Sequence, residues 1–409
     1  MIALVTAAAE RAPLPDALTR AGIWSLVALA RRKLASTPEG TEAGFAADFA
    51  NHPIAVHTED ANAQHYELPP EFFALVLGPR RKYSCALYDE ATDTLAAAEI
   101  RALEETCRHA DLADGQRILE LGCGWGSLSL WMAEHLPNAR ITAVSNSASQ
   151  RTYIEGEARA RGLKNLTIIT ADMNAFDTGE KFDRVVSVEM FEHMANWRAL
   201  LGRIRGWLAP DGRLFVHVFA HRSTPYRFDH TNEADWIAKY FFTGGLMPSH
   251  GLMHQFADLF TVEADWRWSG AHYRRTANDW LANYDRNRRP IAALLAGVYG
   301  ADAALWHRRW RLFFLATAGL FGHAGGDEWG VSHYRLAPVV GRRSSESDSP
   351  TTDDHLTPPP LDRNDPPKNR WGSGYAADHR QRGRAGAGRA GRGAASRRRS
   401  AARRDAGAE

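Results

Sequence analysis

The chain has 409 residues, 44% of them apolar, with 50 Lys and Arg against 48 Asp and Glu, enough for one large or two smaller domains around a sizeable core. The residues after Val340 hold 15 of the basic and 9 of the acidic side chains, leaving 35 against 39 before them, and a mildly acidic body excludes the basic footprint of a nucleic-acid binder. The three cysteines (Cys85, Cys107, Cys123) exclude a disulfide framework and fit a reducing cytoplasm, no His/Cys set has zinc spacing, and the longest apolar run, Leu312 to Phe321, is too short to span a membrane.

Met1 to Pro13 lacks the layout of a signal peptide. Residues 14 to 35 place Ile23, Val27, Ala30 and Leu34 at helical spacing and end in Arg31-Arg32-Lys33. That basic end suits a helix C-terminus, and the other reading is peripheral contact with an anionic membrane. Residues 36 to 81 read as helical and loop-rich, broken at Pro69-Pro70 and Gly78-Pro79. Cys85, in Tyr83-Ser84-Cys85, reads as a small buried thiol, because no activating group is near in sequence.

From about residue 90 to 220 helices and strands alternate. Helix 93–110 precedes strand 118–121, and further strands are expected at 140–144, 166–169, 183–188 and 213–219, with helices at 149–161 and from about 190. This alternation predicts a parallel sheet covered on both faces. Residues 230–336 are rich in Trp, Tyr and Phe and read as mostly helical, closing with a strand-like Trp329 to Leu336. The Ser/Asp/Pro and Gly/Ala/Arg runs of 341–409 read as a disordered tail, either solvated or binding RNA or anionic lipid through its arginines.

Two segments carry chemistry. Ile118-Leu119-Glu120-Leu121 runs into Gly122-Cys123-Gly124-Trp125-Gly126, a strand, a tight loop and a helix start that together cradle an anion. A dinucleotide site wants G-x-G-x-x-G and an acid at the end of the next strand. Here the spacing is G-x-G-x-G and the next strand ends in Ser145-Asn146-Ser147. Glu120 also suits a cationic sulfonium cofactor, S-adenosylmethionine, better than a pyrophosphate. Asp172, after strand 166–169, is placed to accept the adenine amino group with Met173 against the ring, or else caps a helix. Glu189-Met190-Phe191-Glu192-His193 follows strand 183–188. If a helix begins there, Glu189 and His193 share a face, the carboxylate raises the imidazole pKa, and the pair can accept a proton.

Lys82-Tyr83-Ser84-Cys85, Leu119 to Gly126 and Met190-Phe191-Glu192-His193 together resemble the cyclopropane-fatty-acyl-phospholipid synthase family of S-adenosylmethionine-dependent enzymes over about residues 60 to 336. Glu189, the run Tyr240 to Ser249 and Asp327-Glu328-Trp329 are similar to its coclaurine N-methyltransferase-like branch. The resemblance implies an α/β, Rossmann-like class I methyltransferase: a helical extension (1–89), a cofactor-binding core (90–225), a helical acceptor-binding cap with the final strand (226–340) and the tail (341–409). It implies that Gly122, Gly124 and Gly126 line the methionine end of the cofactor, that Ser145 and Gln150 take the ribose, and that Tyr83 and Ser84 close over it.

Two acceptor chemistries compete within the family. Lipid cyclopropanation uses a bicarbonate held by a cysteine segment, a Glu, a His and a Tyr. Cys85, Glu192 and His217 match, but the tyrosine position aligns with Phe313, and Glu189 stands where the lipid branch usually has glycine. N-methylation needs only a proton acceptor, which Glu189 and His193 would supply. Phe241, Phe242 and Trp329 could wall the acceptor, though most such aromatics are core. The expected partner is therefore a small molecule, an amine or an unsaturated acyl chain, with no nucleic acid. A homodimer is compatible with the sequence.

Overall fold

Ile118, Leu119 and Leu121 are completely buried, as a central parallel strand requires when helices cover both faces of its sheet. The computed structural model describes residue 10 and residues 14–38, 40–56, 68–89, 94–232 and 235–339. The expectations for Met1 to Pro13 fall largely outside these residues, and those for the tail fall entirely outside them. The first four helices are α1 (Asp16–Ala35), α2 (Thr41–Asp48), α3 (Pro70–Val76) and α4 (Leu95–His109). The alternating core follows as β1 (Arg117–Leu121), α5 (Ser127–His135), β2 (Arg140–Ser145), α6 (Ala148–Ala160), β3 (Leu166–Thr170), β4 (Phe182–Val188), α7 (Trp197–Trp207) and β5 (Leu208–His221). Beyond it come a short ribbon of β6 (Tyr226–Arg227) and β7 (Leu246–Met247) around α8 (Trp236–Tyr240), then β8 (Phe260–Ser269), α9 (Gly270–Arg286), α10 (Arg288–Tyr299), α11 (Ala303–Phe321) and β9 (Trp329–Pro338). All the described residues fall in one compact unit.

The main sheet has seven strands in the order β3-β2-β1-β4-β5-β9-β8. The first five are parallel, and β9 inserts antiparallel between β5 and β8. The strand order reverses beside β1, so the carboxyl ends of β1, β2 and β4 border one crevice, where open α/β sheets hold their ligands.

The segment 235–336 is mostly helical before its final strand, as expected, but the sequence reading did not include β8. Phe260, Val262, Ala264, Trp266 and Trp268 alternate with Thr261, Glu263, Asp265, Arg267 and Ser269, a period of two that marks a half-buried strand. Its charged residues also blunt the open edge of the sheet. At the basic end of α1, Arg31 Nε lies 3.0 Å from Glu328 Oε2, while Arg32 and Lys33 are exposed. Among the described residues no helix is long and apolar enough to cross a membrane.

Candidate active site

The glycine loop leaves β1 with Gly122, Gly124 and Gly126 at φ of +80°, +51° and +75°, a region that disfavours any side chain. The three have different tasks. A Cβ on Gly122 would lie 2.6 Å from Met190 Cβ, and one on Gly126 would lie 2.7 Å from Ile154 Cγ1. A Cβ on Gly124 would meet nothing within 4 Å, because it would project into open space where the loop borders two adjoining cavities.

Tyr83, Ser84, Glu120 and Ser127 line the first cavity. Ser145, Gln150, Asp172, Met173 and His193 line the second. Gly122, Gly124 and Glu189 line both. The Ser147 hydroxyl caps α6 by accepting from Gln150 N, and Ser145 Oγ donates to Gln150 Oε1 at 2.6 Å. Gln150 Nε2 and Ser127 Oγ are buried without a hydrogen-bond partner, which leaves polar capacity for a ligand in each cavity. Asp172 Oδ1 accepts from Asn174 N at 2.7 Å, so it closes a local turn while lining the cavity.

Glu120 accepts from Ser129 Oγ at 2.5 Å, and burial pushes its pKa up to about 7. A cationic ligand in the first cavity would favour the carboxylate. S-adenosylmethionine affinity is therefore expected to weaken as pH falls through that value, with proton release on binding, and Glu120→Gln should flatten the dependence. Calorimetry in buffers of different ionisation enthalpy checks this, and an affinity that does not change across that pH range would overturn it.

Glu189 is 9% exposed in its side chain and has φ +48°, a left-handed conformation uncommon for a non-glycine residue and often found at functional sites. Its Oε1 accepts from Cys85 N at 3.0 Å and lies 3.3 Å from His217 Nε2, while its Oε2 accepts from the Tyr273 hydroxyl at 2.7 Å. Burial raises the Glu189 pKa, and the nearby Lys82 ammonium opposes the rise.

The helix expected from about residue 190 starts later, as α7 at Trp197. The positive φ at Glu189 is incompatible with a right-handed helix start, and Phe191–His193 makes a single 3₁₀ turn before α7. Glu189 and His193 both line the second cavity, at the two ends of this turn rather than on one helix face. The expected rise in the His193 pKa is also corrected. Burial pushes it down to about 4 against the attraction of Glu189, so the ring is neutral near pH 7. It stacks on Phe242 at 5.3 Å.

Other expected residues stand further back. The Cys85 thiol is buried, donates to Ala86 O at 3.3 Å, and is pushed well above its ordinary pKa by that burial. Cys85 touches Glu189 through its backbone N, and His217 touches it from β5. Glu192 is fully buried and accepts from Phe219 N at 2.7 Å. Phe241 packs against Phe313 and Trp310, and the Trp329 indole donates to the Tyr226 hydroxyl. Phe241 and Trp329 are core residues, and neither they nor Phe242, the third expected acceptor wall, lines either cavity. Sequence reasoning missed Tyr273, which α9 carries to a residue 84 positions away, and no local pattern marks it.

A parallel-rich sheet with an inserted antiparallel strand, a glycine loop opening onto paired cavities and an acid at the switch point define a class I S-adenosylmethionine-dependent methyltransferase. The donor set fits that cofactor, since Glu120 and the loop suit its charged methionine end and Ser145, Gln150, Asp172 and Met173 its adenosine end. The chain belongs to the mycolic acid cyclopropane synthetase family, whose pattern matches residues 55–324. It is 38% identical over 285 residues to (S)-coclaurine N-methyltransferase of Thalictrum flavum subsp. glaucum, covering 68% of this chain and 79% of that one. It is 33% identical over 265 residues to cyclopropane-fatty-acyl-phospholipid synthase of Escherichia coli (strain K12), covering 61% and 66%. It is also similar to the crystal structure of coclaurine N-methyltransferase bound to N-methylheliamine and SAH, with TM-score 0.76, 33% identity, and coverage of 81% of this chain and 98% of that one.

Proposed function

We propose that this methyltransferase methylates the nitrogen of a small-molecule amine, with Glu189 as proton acceptor. One observation carries the reading. Two of the groups that the family resemblance assigns to bicarbonate, the cysteine segment and His217, hold the protein's own carboxylate instead. Cys85 N and His217 Nε2 converge on Glu189, and so does the hydroxyl of Tyr273, a residue to which the resemblance gave no role. The neighbouring N-methyltransferases support the same choice.

An alkyl ammonium has no lone pair and holds its proton near pKa ~10, as Lys does. Glu189 ion-pairs with that cation and takes the proton, and its burial narrows the gap in basicity between the two groups. His193 is neutral, so it adds no charge of its own and can orient the nitrogen by hydrogen bonding, with Phe242 as an apolar wall behind it. When bound, the cofactor supplies a methyl group on a sulfonium that a neutral amine accepts. Glu189 is largely buried, with Tyr273 of α9 against it, which strengthens these charge interactions. In this reading 90–225 holds the cofactor, and 226–340 is the cap that binds the acceptor.

The test is transfer of labelled methyl from S-adenosylmethionine to a panel of aromatic amines and, in parallel, to a dispersion of unsaturated phospholipid. Label in the amine fraction is the expected result. Label confined to lipid would move the enzyme to acyl-chain modification.

A further inference from the structure

Behind Glu189 the hydrogen-bonded chain continues through three buried histidines from three different elements. His217 Nδ1 lies 2.8 Å from His333 Nε2, and His333 Nδ1 lies 2.7 Å from His109 Nδ1. His109 Nε2 lies 2.9 Å from Arg108 Nη2 and 3.0 Å from Glu105 Oε1. The three histidines are buried, with the His109 side chain 2% exposed, whereas the Arg108 side chain is 53% exposed. His217 and His333 are directly opposed in the β5–β9 register, and Trp266 opposes His333 from β8. Opposed residues share one sheet face, which is why the rings meet. Trp266 stacks on His109 at 3.7 Å, and Trp268 lies 4.3 Å from His333, so the row is walled by aromatics. Among the described residues no group of His, Cys, Asp or Glu could hold a metal ion.

We propose that His333 and His109 are positioning residues for the Glu189 base: they fix His217 as the Nε2–H tautomer, so that it donates to Glu189 Oε1. This deepens the reading of Glu189 as proton acceptor and holds for either kind of acceptor molecule.

The polarity follows from the two ends. Arg108 only donates, so His109 Nε2 carries a lone pair and Nδ1 the proton. His333 then accepts at Nδ1 and donates from Nε2, and His217 accepts at Nδ1 and donates from Nε2 to a carboxylate that only accepts. Burial pushes His217 and His333 well below their ordinary pKa values, which leaves each ring with one proton. The Lys82 ammonium on the Glu189 side and its repulsion of both rings act in the same direction. Glu105 draws the opposite polarity at His109, but that arrangement would set a His217 lone pair against the Glu189 carboxylate.

A donated hydrogen bond holds a carboxylate ionised, so losing it raises the pKa. His333→Phe removes both links. The acid limb of kcat/KM is expected to move up by about one pH unit, with little change above the limb. His333→Gln can donate at one end and accept at the other, as neutral imidazole does, and is expected to restore the limb. A role in packing alone predicts the reverse order or no shift, and either result overturns the proposal. Equal loss in both variants would point to proton conduction, which an amide does not support, and overturns it too. Should His333→Phe not fold, ¹⁵N NMR of the wild-type, cofactor-free protein still decides. Expected are Nε2–H in His217 and His333 and Nδ1–H in His109, and an Nδ1–H tautomer at His217 would refute the idea. The NMR result is independent of the acceptor, so its failure is separable from failure of the amine reading.

Discussion

Gly124→Val is expected to abolish S-adenosylmethionine binding in a protein that still folds. The new side chain would meet no protein atom within 4 Å of its Cβ, so the core is not overpacked. It would instead add bulk to a residue that lines both cavities. Valine at φ +51° also strains the backbone, at a cost of roughly 1–2 kcal/mol. Steric intrusion of this kind costs about 1–3 kcal/mol where it can be accommodated at all, and with the misplaced loop amides an affinity loss on the order of 100-fold or more is expected. Calorimetric titration with the cofactor, alongside thermal unfolding, checks both halves. Gly122→Val should behave differently, since its Cβ collides with Met190 and unfolding would precede any loss of binding. Wild-type affinity in Gly124→Val would refute the assignment of the loop.

Glu189→Gln combined with His193→Ala is expected to leave cofactor affinity near wild type and to lower kcat about 10²–10⁴-fold, the usual range for general-base work. The amide can still accept from Cys85 N, so the loss would report the missing base. The pH profile sharpens the test. Below the raised pKa of Glu189 the carboxyl is protonated and unable to accept a proton, so the wild-type rate should rise with pH through that value. His193, pushed down to about 4, should add no step near neutrality, and His193→Ala alone should keep the limb that Glu189→Gln removes. A double variant that methylates like wild type would make the pair structural. Glu189→Gly suits the left-handed backbone and frees the donors of Cys85, His217 and Tyr273. Partial recovery with added acetate or bicarbonate would tie the missing activity to a carboxylate at this place.

Much of the site was legible in short segments because a parallel α/β sheet delivers ligand-binding residues at strand ends. The glycine loop after β1, Ser145 at the end of β2, Asp172 after β3 and Glu189 after β4 each follow a recognisable apolar run, and all of them border one or both cavities. The alternation of elements likewise determined the order of strands and helices in the parallel core, although the helix expected from about residue 190 begins at Trp197. Only the tertiary structure decided what Glu189 touches. Its partners Cys85, His217 and Tyr273 lie 104, 28 and 84 residues away in sequence, and long-range contacts between single side chains leave no local periodicity. The same holds for His193, where a neighbouring acid suggested a raised pKa and burial reversed the sign. It holds also for Phe241 and Trp329, since aromatic composition is the same whether a ring lines a cavity or fills a core. The row of histidines exists because β9 inserts antiparallel between β5 and β8, bringing His333 opposite both His217 and Trp266. Strand order is a property of the folded sheet, and no single segment of the chain encodes it.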